Sequence, residues 1–181
     1  MNFQDKQSVM RPFDIALLLK KITPEGMKMN GKELAASLSV SAAEVSMSME
    51  RNRIAQLVDN TKTRVNTLAL RDFLVYGIRY CFPVQPSGLS RGIPTASSAG
   101  IIKSSISSGG DSFVWKYPEG TSRGQAIVPL YPNAPEAAAR DADFHSLLAI
   151  VDSLRIGKSR ECQAAIDELS KYIDRYAGEK Q

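Results

Sequence analysis

Only two cysteines, one histidine and one tryptophan occur among the 181 residues. Cys81 and Cys162 form no Cys-x-x-Cys pair, so neither a disulfide framework nor a zinc site is expected. A lone His145 argues against a histidine-rich metal centre, and no metal or cofactor is predicted. Long apolar runs are missing too. The segment IALLL meets Lys20 and Lys21 at once, far short of the roughly 20 apolar residues that a membrane span needs. With no charged-then-apolar leader at its start, the chain reads as a soluble, cytoplasmic protein with no membrane partner.

Enzyme signatures are scarce as well. Gly157, Lys158 and Ser159 resemble the end of a phosphate-binding loop, but Asp152 stands where that loop needs its first glycine, so the stretch reads as a helix break. His145 and Asp152 lie two helical turns apart with no G-x-S-x-G nucleophile turn to accompany them. Cys81, between Tyr80 and Phe82, reads as a small apolar residue. No enzymatic activity is expected.

What is present is unevenly spread. The net charge is +4, and residues 1–80 carry all of it, with 12 Lys+Arg against 8 Asp+Glu, whereas residues 81–181 hold 11 of each. Residues 83–135 contain 7 Gly, 7 Pro and 10 Ser, which rules out a mainly helical segment. The expected fold is therefore α+β and mainly α. Its three stretches are a helical domain over 1–80, a Gly/Pro/Ser-rich segment with short strands over 81–135, and a helical hairpin over 136–181.

Within the first stretch, Pro12 suits a first helical turn and Ile15, Leu18, Leu19 and Ile22 share one face, predicting a helix over about 12–22. A short helix over about 32–38, a turn at Ser39 and Val40, and a longer helix from Ala42 to about Ala55 follow. Ser41 and Glu44 have the spacing of a capping box at the start of that longer helix. Leu34, Ala35, Leu38, Val45 and Met49 supply an inner face, and the small Ala35 permits a close crossing: this is the pattern of a helix-turn-helix. Its outward positions are Ser41, Ala42, Ala43, Ser46, Met47 and Glu50, with Arg51 and Arg53 toward the far end. Small side chains at the start of a helix let it enter a major groove deeply, and these residues are the predicted contacts to double-stranded DNA. Downstream, strand, turn and strand are expected around residues 54–66, placing Lys62 and Arg64 on a basic tip over backbone or minor groove.

Helix, helix, recognition helix and basic ribbon over residues 12–66 resemble the winged-helix regulators of bacteria, closest to the MarR type. The likeness covers about a third of the chain and implies a dimeric transcriptional regulator. The chain lacks the acidic-x-Arg wing tip usual in that family, and a long Gly/Pro/Ser-rich insert stands where a dimerisation helix would follow.

In the middle stretch, FVWKY and AIVPLY are predicted to pair as a small hairpin across PEGTSRG, and residues 97–112 are expected to form a mobile loop. Trp115, Tyr117 and Tyr131 read as a small core. Arg91, Thr95 and Ser97 lie close together in a Pro-flanked loop that could receive an anion or a partner peptide. The plainer reading is a structural loop in which Arg91 pairs with an acid. Phe144, Leu147, Leu148, Val151 and Leu154, then Ala165, Ile166, Leu169, Tyr172 and Ile173, make two stripes of a helical hairpin whose partner is either the N-terminal helices or a second copy of the chain. A second function class stays open: an interaction or antitoxin-like adaptor whose middle segment grips a partner protein.

Overall fold

The computed structural model describes residues 9–103 and 112–178. It is α+β and mainly helical. The first helix, α1 (Pro12–Lys21), begins on Pro12 with Asp14 turned back to accept from the Arg11 amide at 2.7 Å. Every residue from Phe13 to Lys20 is buried, so α1 is the axle of the molecule and not a one-faced surface helix. An axle cannot carry unpaired charges. Lys20 accordingly reaches the Asp141 carboxylate, and Asp14 takes an arginine from a later helix.

A single 3₁₀ turn (Gly26–Lys28) leads to α2 (Gly31–Ser37) and then α3 (Ala42–Ile54). The capping box falls one helix earlier than the sequence suggests. Asn30 Oδ1 accepts from the Lys32 and Glu33 amides while Glu33 returns a bond to the Asn30 amide at 2.7 Å. Ser41 does cap α3, accepting from the Glu44 amide at 3.1 Å, but the Glu44 carboxylate is drawn away to Arg51. Between the two helices Ser39 adopts a left-handed φ of 54°. Leu34, Ala35, Leu38, Val45 and Met49 all pack inward as their spacing predicts.

The chain then forms a tight ribbon closed by the Val58–Val65 bridge, and continues into α4 (Thr67–Asp72), a π-helical turn (Phe73–Gly77) and α5 (Ile78–Cys81). Cys81 is exposed rather than packed.

The predicted hairpin of FVWKY with AIVPLY does not form. β1 (Leu89–Pro94) pairs antiparallel with both β2 (Phe113–Lys116) and β3 (Ser122–Ala126), while β2 and β3 run parallel, so three short strands close on one another. The glycines make this closure possible. Gly92 is where β1 passes from β3 to β2, and a Cβ there would lie 1.8 Å from the Trp115 carbonyl oxygen. Gly120 crosses so near that its Cβ would sit 2.4 Å from the Gly92 Cα. Ile127 to Tyr131, read as strand, instead run as irregular chain that buries Ile127, Leu130 and Tyr131 and leaves Val128 exposed.

Part of the predicted mobile loop is ordered: Ala96–Ser98 form a 3₁₀ turn and Gly100–Lys103 a short helix, α6, whose Ile102 is buried. The rest of that loop, at 104–111, lies outside the described residues. The C-terminal stretch comprises α7 (Ala134–Arg140), α8 (Ala142–Ile156) and α9 (Ser159–Gly178), with α8 and α9 antiparallel across the break at Gly157. Leu147 to Arg155 are buried all round α8. Thus the hairpin's stripes are covered within the chain. One hydrophobic cluster draws on all three stretches, from Leu17 and Leu38 through Trp115 to Leu148 and Leu169. Among the described residues no helix is long and apolar enough to cross a membrane.

Candidate nucleic-acid interface

The outer face of α3 is set by what its inner face must hold. Val45, Ser48, Met49, Arg51 and Asn52 are buried, which turns Ser41, Ala42, Ala43, Ser46 and Met47 to solvent. Met47 is 46% exposed, a large apolar side chain left on an otherwise small-residue surface.

Arg51 is a correction. It is 3% exposed, and its guanidinium forks onto Asp14 of α1, with Nη2 at 2.7 Å from Oδ1 and Nε at 2.8 Å from Oδ2. A further bond runs from Nη2 to Glu44 at 2.9 Å. The neighbouring carboxylates hold its pKa even higher than an arginine's usual value. Arg51 therefore cannot meet DNA. It fastens α3 to the axle, aided by Asn52, whose amide donates to the Asp14 carbonyl at 3.1 Å.

Glu50 and Arg53 stay near the surface, and the ribbon joins them. Glu50 accepts from Arg53 Nη2 at 2.6 Å and pairs with Lys62 Nζ at 2.7 Å, with side chains 35–38% exposed. The two cations hold the Glu50 carboxyl down to about 2. The ribbon tip is shaped by Asp59, whose Oδ1 accepts from the Thr63 and Arg64 amides at 2.8 and 2.9 Å and whose Oδ2 takes the Thr61 hydroxyl. These donors lower the Asp59 pKa to about 2. Lys62 sits at the turn with φ 60°, donating its amide to the Asp59 carbonyl at 3.0 Å, and Arg64 is exposed. At the base, the Val65 amide donates to the Tyr176 hydroxyl of α9 at 3.2 Å. The C-terminal helix thus steadies the ribbon.

The structure therefore joins Glu50 and Arg53 of α3 to Lys62 of the ribbon, and leaves the small face of α3 and Arg64 exposed. The second cluster expected from the sequence comes apart. Thr95 is buried and donates its hydroxyl to Asp152 of α8 at 2.8 Å. Ser97 has a buried hydroxyl oxygen, while Arg91 is exposed on β1 directly opposite Arg123, so it faces a cation and not the expected acid. These three residues point to different surroundings and make no common anion site.

Sequence reasoning missed the partners that decide these positions. Asp14 stands 37 residues before Arg51, and no local signal joins them. The Glu50–Arg53 pair has helical spacing and was legible, but the arrival of Lys62 depends on the ribbon folding back onto α3. A second buried carboxylate, Asp152, accepts from Trp115 Nε1 at 2.7 Å and Arg155 Nη1 at 2.8 Å as well as Thr95. His145 packs its ring on Trp115 and hydrogen-bonds the Pro94 carbonyl at 2.7 Å. Trp115 and Tyr131 are core residues as expected.

No family model matches the chain, and neither does any curated protein or solved structure.

Proposed function

We propose that the chain is a cytoplasmic, DNA-binding transcriptional regulator with a winged-helix, MarR-like N-terminal part, and not an enzyme. In this reading α3 lies in the major groove, and the ribbon over residues 59–65 is the wing, resting on backbone or minor groove. One observation carries it. The exposed, small-residue start of α3 (Ser41, Ala42, Ala43, Ser46) shares its helix with Arg53 and Glu50, to which Lys62 of the ribbon is joined, and Arg64 is exposed on the same ribbon. Small side chains let a helix approach base edges, and cations beside it answer the phosphates.

Two copies would place two such helices in successive grooves. The C-terminal hairpin is occupied within the chain, so the surface that favours a homodimer is the exposed row of Leu68, Tyr76 and Tyr80 at 71, 70 and 79%. Light scattering on the wild type and on a Tyr76→Glu, Tyr80→Glu variant tests this, a dimer that persists in the variant removing that surface.

Selection of duplex fragments by the purified chain tests the main reading, since failure to enrich any sequence would overturn it. Lys62→Ala with Arg64→Ala should weaken binding and reduce the slope of log affinity against log salt by about 2, at about 0.9 per lost phosphate contact. An unchanged slope removes the ribbon from the interface.

The adaptor reading draws on a different place. Pro12, Ile127, Val128, Pro129, Leu130 and Pro135 line an apolar groove of about 560 Å³, with Val128 69% exposed. A stoichiometric protein partner recovered from native cells, with no retained DNA affinity, would favour it.

A further inference from the structure

Glu50 is an awkward residue for a surface meant to meet phosphate. It follows Ser46 and Met47 on the outer side of α3, and it is held by cations from two elements, Arg53 one helical turn further on and Lys62 from the ribbon tip. Each cation donates at 2.6 to 2.7 Å, so neither is disposed toward an external anion while the carboxylate is in place. The ribbon is anchored independently at its base, by the Val58–Val65 bridge and the Tyr176 hydroxyl, and its tip is shaped by Asp59. The Lys62–Glu50 contact is therefore not needed to build the ribbon. Both partners keep more than a third of their side-chain surface in water, and an exposed pair of this kind opens readily. A latch that is geometrically complete, structurally dispensable and inexpensive to open suits a surface that must choose among duplexes.

We propose that Glu50 is a specificity-determining residue, which restrains indiscriminate duplex binding by occupying Arg53 and Lys62 until its carboxylate finds a base-edge amino group. This inference rests on the DNA-binding reading above. On an arbitrary duplex, phosphates compete for the two cations, and their departure leaves Glu50 as an uncompensated negative charge beside the backbone. On the preferred duplex, a cytosine N4 or adenine N6 amino group, the donors that the major groove displays, takes over the carboxylate and frees both cations for phosphate. Specificity then arises largely from a penalty on wrong sequences, which suits a helix face with few side chains able to read bases. Met47 and Ser46 are the other reading groups on that face.

The test uses the full chain, as wild type, Glu50→Gln, Glu50→Ala and Lys62→Ala, with fluorescence anisotropy on two labelled duplexes, one enriched by selection and one of unrelated sequence. Circular dichroism of each variant checks that the fold is kept. Between about 50 and 200 mM salt, both Glu50 variants should bind the unrelated duplex about tenfold tighter, with a slope of log affinity against log salt steeper by about 1 to 2. Their preference for the enriched duplex should shrink by a similar factor, and Lys62→Ala should weaken binding to both. Glu50 variants that bind the unrelated duplex no tighter, with an unchanged slope, overturn the restraint while Lys62→Ala still reports on the interface. If the wild type and all variants leave both duplexes unbound, the DNA-binding reading falls, and this inference with it.

Discussion

Two buried carboxylates hold two halves of this molecule in different ways. Asp14, on α1, faces Arg51 of α3 with a partly exposed Glu44 behind it, and its carboxylate otherwise accepts from the Arg11 amide. Asp152, on α8, collects Thr95 from the end of β1, Trp115 from β2 and Arg155 from its own helix. Arg155 then spreads to the carbonyls of Phe82 and Val128 at 2.9 and 3.2 Å. The helical half is held by apolar packing and pinned at Arg51, whereas the strand segment is organised by a polar hub. That difference follows from composition: a segment so rich in Gly, Pro and Ser has little apolar surface, and polar bonds to a buried helix supply the missing order.

Removing the hub should therefore cost more than removing the pin. Asp152→Ala leaves Trp115 Nε1, the Thr95 hydroxyl and Arg155 without their buried acceptor, and a loss of about 4 to 5 kcal/mol is expected from denaturant midpoints. Asp14→Ala leaves Arg51 its contact with Glu44, so about 3 kcal/mol is expected. Hydrogen exchange should place the first lesion in β1 and β2 and the second between α1 and α3. Equal losses, or the reverse order, would break the distinction between hub and pin.

A milder change isolates one spoke. Thr95→Val keeps the shape of the side chain and deletes only its bond to Asp152, which should cost about 1 to 2 kcal/mol. A neutral result would mean that Asp152 is satisfied by Trp115 and Arg155 alone.

The same contrast explains what could be read in advance. Helices α1 to α3, α8 and α9 lie close to where apolar spacing, Pro12 and Ser41 put them, because helical periodicity is local information. The strands did not yield in this way. FVWKY and AIVPLY look like a hairpin in the chain, yet β2 takes its antiparallel partner from a segment 20 to 24 residues earlier, through a close crossing that Gly92 and Gly120 permit. The site divides similarly. Ser41, Ala42, Ala43, Ser46 and Met47 face outward as their helical positions dictate, whereas Arg51 and Thr95 were misplaced because their buried acids, Asp14 and Asp152, stand 37 and 57 residues away.

The turn between α2 and α3 offers a smaller test of how local that half is. Ser39 carries φ 54°, its carbonyl accepts from Asn133 at 2.7 Å and its hydroxyl from Arg140 at 2.8 Å. Ser39→Val should cost about 1 to 2 kcal/mol because a β-branched residue resists the left-handed region. Ser39→Gly should stay within about 0.5 kcal/mol, since relief of strain offsets the lost hydroxyl bond and the added chain entropy. A large loss in the glycine variant would instead make the α7 contact, not the backbone, the determinant of the turn.

The smallest effect concerns a third carboxylate, one that faces water. Asp59 shapes the ribbon tip as Asp152 shapes the strands, but with short-range donors from Thr61, Thr63 and Arg64. Those donors favour the ionised form and lower its pKa to about 2. Because the folded value lies below the unfolded one, the contribution of Asp59 is complete above the ordinary carboxyl range and is lost as pH falls through about 2. Carboxyl-carbon NMR should give a midpoint near 2 in the wild type, moving up toward 3.8 when Thr61 and Thr63 are both replaced by Val. The Thr63 and Arg64 amide signals should shift with the same midpoint, since both donate to Asp59 Oδ1. A wild-type midpoint already near 3.8 would mean that the tip is open in solution, and that Lys62 reaches Glu50 without a fixed ribbon behind it.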